Sequence, residues 1–234
     1  MQITVLTLFP DIFPGPLEVS LIGKALKKDL WNLRVVDLKK FTVKGRVDAF
    51  PCGGGCGMLL SAIVLETAIA SLSLSTSTQF MYLSPRGALF SQETAHNFSK
   101  MQDIVLLCGR YEGVDARFLE KYNFIEISVG DYILMGGEVA AMAVIEASVR
   151  LIPGVVGTPE SLQEDSFVAS SASLLEYPQY THPVSWEERS IPSVLLSGNH
   201  TAVNQWRFTQ ACATTRIRRP DLWHRYVAWA FKKS

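Results

Sequence analysis

The sequence predicts an α/β fold on a parallel sheet, followed by a small helical C-terminal domain. Three observations predict it. Short apolar runs (Ile3–Phe9, Leu33–Leu38, Phe80–Leu83 and Ile104–Leu107) alternate with segments of helical spacing. That alternation is the mark of right-handed βαβ units, whose strands lie parallel. Glycine- and proline-rich turns (Ser84–Gly87, Cys108–Gly113 and Ser128–Gly137) recur through the same region, and beyond Arg150 the texture changes.

The elements follow in order. Ile3–Phe9 reads as a strand ending at Pro10, and Leu17–Leu30 as a helix with Leu17, Leu21, Ile22, Ala25 and Leu26 on one face. Lys24, Lys27 and Lys28 suit the negative C-terminal end of that helix. Leu33–Leu38 is a strand, Leu59–Leu74 a helix, Phe80–Leu83 a strand leaving through Ser84-Pro85-Arg86-Gly87, and Gln92–Lys100 a helix. Val139–Val149 is almost wholly apolar and too long for an average strand, so it reads as a buried helix. Pro153–Leu174 carries Gly, Ser, Pro and Thr without period, a linker longer than most loops inside a domain. Two helices close the chain, Ala202–Ala213 and Leu222–Phe231, with Arg216-Ile217-Arg218-Arg219-Pro220 between them. Trp223, Tyr226 and Trp229 stand at helical spacing and read as core. The expected division is 1–157, a linker over 158–173, and 174–234.

The totals exclude several classes. The 22 Lys and Arg balance 22 Asp and Glu, but unevenly: from His200 onward seven basic residues meet one acid, net +6, leaving −6 for the rest. This fits a polyanionic partner for the tail and equally a solvated basic face. Four scattered cysteines make no disulfide framework and suit a reducing cytoplasm. No signal peptide or membrane-crossing span is recognisable, so the expectation is a cytoplasmic protein with no membrane partner. No G-x-G-x-x-G or G-x-x-x-x-G-K-[ST] motif occurs, which removes a dinucleotide-dependent dehydrogenase. The loop Pro51-Cys52-Gly53-Gly54-Gly55-Cys56-Gly57 lacks the further ligands that a metal site needs. It suits a mobile lid or partner-contacting loop, with Asp48 its one candidate for chemistry.

The segment Cys108–Glu138 is the candidate site. Glycines at 109, 113, 130, 136 and 137 let a ligand approach the main chain, with Tyr111, Glu112, Asp131 and Glu138 between them. Turns at the carboxyl ends of parallel strands converge on one edge, where open α/β sheets bind ligands. Ser84–Gly87, Cys108–Gly113 and Ser128–Gly137 are therefore expected to share a crevice. Glu164-Asp165-Ser166-Phe167 in the linker has, taken alone, the composition of a solvated acidic turn.

In order and over nearly the whole chain, these blocks resemble the bacterial tRNA (guanine-N1-)-methyltransferases of the TrmD type. The similarity runs through Leu8-Phe9-Pro10, Gly53–Leu59, Tyr82–Pro85, Cys108–Asp115, Ser128–Glu138, Arg150 with Ile152-Pro153-Gly154-Val155, Glu164–Phe167 and Val194–His200, extended by Trp206-Arg207 and Arg218-Arg219-Pro220. The resemblance implies the SPOUT fold, a parallel sheet with a deep trefoil knot, and an obligate homodimer. It implies S-adenosylmethionine as donor, tRNA as partner, and N1 of the guanosine immediately 3′ of the anticodon as acceptor. The matching cofactor positions are Tyr82, Leu83, Ser84, Pro85, Gly109, Tyr111, Glu112, Ser128, Val129, Gly130, Tyr132, Leu134, Gly136 and Gly137. Asp165 matches the general base and Arg150 the residue that stabilises charge on guanine O6, with Glu112 and Asp48 as further catalytic candidates. Ser197, Gly198, Asn199, His200, Arg207, Arg218 and Arg219 are the implied tRNA contacts. Mg²⁺ is linked to the family's activity, and no sequence pattern assigns its ligands.

The chemistry is consistent with that assignment. N1 of neutral guanine carries a proton that a base must accept as the methyl arrives, and its loss pushes charge onto O6. A carboxylate is a weak base, so geometry and exclusion of water must help it. Placing the base in the linker predicts that tRNA orders Pro159–Ser173, mobile without RNA. Several positions depart from the family pattern. Cys52 and Cys56 stand where Tyr and Pro are usual, Arg86 for Gln, Ala140 for Pro, His182 for Arg, and Ala213-Thr214 for Gly-Arg. The rival readings are a knotted RNA methyltransferase acting on another base or a ribose, and a non-catalytic RNA-binding module.

Overall fold

The computed structural model describes residues 1–42, 45–157, 165–167 and 174–233. They fall into two compact units, Met1–Gly157 and Thr158–Ser234. In the first, strands β1 (Gln2–Thr7), β2 (Asn32–Asp37), β5 (Gln79–Leu89), β6 (Asp103–Cys108) and β7 (Ile125–Ser128) form one sheet. Their order is β2-β1-β6-β5-β7, and every neighbouring pair is parallel. Two further strands, β3 (Asp48–Ala49) and β4 (Leu59–Leu60), make a separate antiparallel ribbon.

Both faces of the sheet are covered, which is why its strands read as unbroken apolar runs. Side chains alternate between two cores. Ile3 and Val5, Met81 and Leu83, and Ile104, Leu106 and Cys108 pack with α1 (Ser20–Lys27), α3 (Gln92–Phe98) and α5 (Glu138–Val149). Leu6, Tyr82, Val105 and Leu107 point the other way, onto α2 (Ala62–Ala70) and α4 (Ala116–Lys121). Trp31 is fully buried on the first side, and its indole N–H donates to the Ile22 carbonyl at 3.1 Å. Helix starts carry their own acceptors: Ser91 Oγ receives the Thr94 N–H at 3.2 Å, and Asp115 Oδ1 the Arg117 N–H at 3.0 Å.

Four sequence-derived boundaries need correction. The helix expected from Leu17 starts at Ser20, because Gly15–Glu18 forms a 3₁₀ turn and Ser20 takes φ +55° at the joint. The helix expected from Leu59 starts at Ala62, since Leu59 and Leu60 pair with β3. Ser84–Gly87 is no exit: β5 continues to Leu89, and these residues bulge where the pairing partner of Leu83, Ile127, is also that of Ala88. The bulge requires glycine, as a Cβ on Gly87 would sit 2.2 Å from the Ile127 nitrogen. Finally, the stretch from Asp115 to Ser128, for which no element was expected, holds α4 and β7.

In the second unit, β8 (Ser185–Trp186) and β9 (Arg189–Ser190) pair across Glu187-Glu188, both at positive φ, the geometry of a tight hairpin turn. Helices α6 (His200–Arg218) and α7 (Pro220–Lys233) follow, so the basic run expected between helices is largely the last turn of α6. Thr215 is fully buried; its hydroxyl donates to the Ala211 carbonyl and accepts the Leu175 N–H at 2.8 Å. Leu222 is the buried anchor of α7. Trp223, Tyr226 and Trp229 stack on one another, 5.3 and 6.2 Å apart, but form a half-open face rather than a closed core. Of the linker 158–173, with its expected ordering on RNA, all but 165–167 lie outside the described residues.

Gly87→Ala is expected to destabilise the first unit by about 1–3 kcal/mol, the range for overpacking. Gly157→Ala, with nothing within 4 Å of its added methyl, should leave stability unchanged. Urea denaturation followed by circular dichroism checks both; equal midpoints for G87A and the parent chain would contradict the bulge geometry.

Candidate functional site

Parallel pairing puts the carboxyl ends of β5, β6 and β7, neighbours in the sheet, on one edge. The bulge of β5 and the segments after β6 and β7 meet there around a cavity of about 270 Å³. Its walls are Tyr82, Leu83, Ser84 and Pro85 from β5, Gly109, Tyr111 and Glu112 from the second segment, and Ser128, Val129, Gly130, Tyr132, Leu134, Gly136 and Gly137 from the third. The three segments singled out in the sequence thus surround one space.

Local chemistry fixes each wall. Ser84 Oγ accepts the Arg86 N–H at 3.2 Å within the bulge. Ser128 Oγ closes the turn after β7, accepting from Gly130 N and donating to Gly130 O at 3.3 and 3.1 Å. The Gly137 N–H donates to the Gly109 carbonyl at 2.9 Å, and a Cβ on Gly137 would fall 2.8 Å from Cys108 Cα. Only glycine lets these two chains approach so closely. The Tyr82 phenol reaches the Gly109 backbone, and burial raises its pKa; nearby Glu126 adds to this and Arg86 opposes it.

Beneath the cavity lies an ion pair that ties the second and third segments together. Glu138, the first residue of α5, is 1 % exposed. Its Oε1 accepts the Thr7 hydroxyl at 2.8 Å and Arg110 Nε at 3.2 Å, and its Oε2 lies 2.8 Å from Arg110 Nη2. Arg110 also donates to the Met135 carbonyl at 3.1 Å and lies over the Phe9 ring at 4.3 Å. A carboxylate at a helix N-terminus is favoured by the helix dipole. Glu138, read from sequence as one of the site's carboxylates, is therefore a buried anchor. Beside it, burial pushes the Cys108 thiol well above the ordinary range, and the Glu138 charge adds to that.

Gly113, one of the glycines singled out in the sequence, also lines the cavity, as do Arg110, Ile127, Ile133, Met135 and Ala140, which were not named as binding residues. For Arg110 the available signal was a lone cation between two glycine turns with an acid opening the following helix. Other candidates lie elsewhere. Asp48 is in β3, paired with Arg46 at 3.2 Å, and is absent from the cavity wall. Arg150 follows the last residue of α5, also off the wall. Asp165 is half-buried in the second unit, where Ser166 Oγ accepts the Glu176 N–H at 2.9 Å. Ser197, Gly198, Asn199 and His200 are exposed at the start of α6, where Asn199 Oδ1 caps the Ala202 N–H. Arg207 is half-buried over the Tyr177 ring at 4.9 Å, Arg218 is exposed, and Arg219 pairs with Asp221 at 2.7 Å. Among the described residues no group of three His, Cys, Asp or Glu could hold a metal ion, and no helix is long and apolar enough to cross a membrane.

A parallel α/β sheet with a glycine-walled crevice beyond its carboxyl edge defines a small-ligand-binding α/β protein. Comparison with known proteins narrows this. Residues 1–225 match the family model described as tRNA (Guanine-1)-methyltransferase TrmD. Three similar proteins are each named tRNA (guanine-N(1)-)-methyltransferase. That of Neorickettsia sennetsu is 49% identical over 223 residues, 95% of this chain and 98% of its own. That of Ehrlichia canis is 47% identical over 225 residues, 95% of each chain. That of Cereibacter sphaeroides (strain KD131 / KCTC 12085) is 48% identical over 235 residues, 97% of this chain and 93% of its own. The chain belongs to the TrmD family.

Removing one partner of a buried ion pair leaves the other desolvated, so Glu138→Gln should cost about 2–4 kcal/mol in urea unfolding. Cys108 gives a pH prediction. A thiol whose pKa is raised by folding ionises first in the unfolded chain, so its contribution is intact below about pH 8.5 and lost above it. Stability should fall with a slope of about 1.4 kcal/mol per pH unit for that one group, and Cys108→Ala should remove that share, leaving the fall due to Cys212, whose thiol burial also raises. Tyr122, pushed up to about 12 by burial and Glu66, adds a second loss only above its ordinary range near 10.

Proposed function

We propose that this chain is a tRNA (guanine-N1-)-methyltransferase, using S-adenosylmethionine to methylate N1 of the guanosine immediately 3′ of the anticodon. The observation that carries the reading is the crevice at the sheet edge, in a chain whose family and similar proteins bear that name. The wall residues fit such a donor. Glycines expose backbone at 109, 136 and 137, while Leu134, Ile133 and Val129 offer apolar surface to an adenosine. The lining's one cation, Arg110, is neutralised by Glu138, and Glu112 remains, so a positively charged sulfonium meets no net repulsion. S-adenosylmethionine, when bound there, supplies an electrophilic methyl.

The residues of the chain then have separate tasks. Tyr82, Ser84, Ser128 and the glycine backbone hold the donor; Asp165 accepts the N1 proton; Arg150 meets the negative charge left on O6. Glu112, on the wall, and Asp48 assist on the acceptor side. Ser197–His200, Arg207, Arg218 and Arg219, with the basic tail, contact tRNA phosphates. In this reading the first unit is the donor-binding domain and carries the family's trefoil knot, the second binds tRNA, and 158–173 joins them. The enzyme is a cytoplasmic homodimer in which one subunit's crevice is completed by the other. Among the described residues no group of three His, Cys, Asp or Glu assigns a site for Mg²⁺, and no step is routed through that ion.

Asp165→Asn should lower single-turnover methyl transfer to a tRNA transcript by about 10²–10⁴-fold, the usual scale for a general base. Donor affinity by calorimetry should stay within about twofold, since the crevice wall is untouched. Mass-spectrometric mapping of the methylated nucleotide fixes the acceptor. A product on another base or on a ribose, or undiminished turnover in the variant, would overturn the mechanism.

A further inference from the structure

The loop between β3 and β4 carries two cysteines that the proposed chemistry leaves without a task. Cys52 and Cys56 are both exposed, in the sequence Pro51-Cys52-Gly53-Gly54-Gly55-Cys56-Gly57. The other two differ from them: Cys108 is buried with its thiol pushed well up, and Cys212 is half-buried with its thiol also raised by burial. Thiol chemistry on this chain is therefore directed to one loop.

The segment between the two thiols is built to close. Gly53, Gly54 and Gly55 all take positive φ; an added Cβ would meet only the Pro51 ring, at 3.9 Å from Gly55, and one turn bond, from the Gly54 N–H to the Pro51 carbonyl at 3.3 Å, spans the segment. No side chain there resists a change of backbone path, so the two sulfurs can meet at the short separation a disulfide needs. The foot of the loop, by contrast, is fastened to the crevice. The Glu112 N–H donates to the Met58 carbonyl at 2.9 Å, and the Leu60 N–H to the Gly113 carbonyl at 2.9 Å. A Cβ on Gly57 would meet the Glu112 side chain at 2.4 Å. Whatever stiffens residues 52–56 therefore acts directly on the wall that carries Glu112.

We propose that Cys52 and Cys56 form a reversible thiol–disulfide site that locks this loop against the Glu112 wall of the crevice. The oxidant class is a hydroperoxide. One thiolate attacks the O–O bond, giving a sulfenic acid and one water; the second thiol displaces the sulfenic hydroxyl as a second water. Two thiols and one hydrogen peroxide thus become one disulfide and two waters, the two electrons passing from sulfur to oxygen. A dithiol reductant reverses the change. The site itself is independent of the proposed methyl transfer; only its effect on turnover rests on that reading.

The test treats the full-length protein with hydrogen peroxide, blocks remaining thiols with iodoacetamide, and maps peptides without reduction. The peptide holding Cys52 and Cys56 should be two hydrogens lighter and unalkylated, return to two alkylated thiols after dithiothreitol, and never bridge in Cys52→Ser or Cys56→Ser. Hydrogen exchange at residues 52–57 and 112–113 should slow by about tenfold or more on oxidation, since the open loop conformations are removed. Both single variants should show no such slowing. Recovery of only sulfinic or sulfonic acids, or of disulfides between chains, would overturn the site. An intraloop bridge with unchanged exchange at 112–113 would overturn the coupling to the crevice. Methyl transfer by oxidised and reduced protein is read separately, so an inactive preparation counts against the enzyme assignment and leaves the bridge result standing.

Discussion

One ion pair governs the geometry of the crevice. Arg110 and Glu138 are 28 positions apart and belong to different segments beyond the sheet, yet they hold both together from below. Glu138 is fixed in turn by Thr7 at the end of β1 and by its place in the first turn of α5. A desolvated carboxylate is tolerable only with such partners, and a cation at 2.8 Å together with a hydroxyl at 2.8 Å supplies them. Arg110 gives one further donor to the Met135 carbonyl and lays its flat face on Phe9, which together fix its position. The segments above the pair are rich in glycine and would otherwise have little to define their path. Packing cannot order a chain without side chains; a buried charge that accepts one arrangement can.

The sheet supplies the frame for that arrangement. With β6, β5 and β7 adjacent and parallel, three consecutive strand ends open on the same edge. Cores on both faces bury the central strands β1 and β6, so the edge beyond the sheet is where irregular backbone can meet a ligand. From β5 it is the bulge that reaches this place, without ending the strand and with a glycine required where the chain crosses Ile127.

Much of this was legible because burial on both faces leaves an unmistakable mark. β6 and α5 are apolar almost throughout, and nothing but a covered sheet and a buried helix accommodates such runs. What the sequence hid was short or distant. α4 has six residues and β7 four, too few to display a period, and their Phe118 and Ile127 look like isolated hydrophobics. Ser84-Pro85-Arg86-Gly87 has turn composition, and a bulge uses the same residue types as a turn. The Arg110–Glu138 pairing is not legible locally: the sequence shows a cation between glycines and an acid at a helix start, but what joins them is the tertiary fold. The stacked Trp223, Tyr226 and Trp229 misled in the opposite direction: helical spacing showed correctly that they share a face, but not that the face stays half open.

The length of α5 sets a limit on how one chain can perform the proposed reaction. Gly137 and Ala140, at its first turn, are cavity wall, whereas Arg150 follows its last residue. Twelve helical residues at about 1.5 Å each separate the two ends by about 18 Å. An arginine side chain is much shorter than that, so Arg150 does not reach the wall of its own crevice at Gly137. On the proposed reading, in which Arg150 meets O6, a second copy is the natural source of the guanidinium. A twofold pairing satisfies this economically, because the contact that delivers one Arg150 delivers the other by symmetry. On the proposed reading the same helix serves at both ends, as wall for the donor in its own subunit and as a charge for the acceptor in its neighbour. The proposed homodimer and the proposed role of Arg150 thus stand together, and a monomeric protein retaining full Arg150-dependent turnover at high dilution would break both.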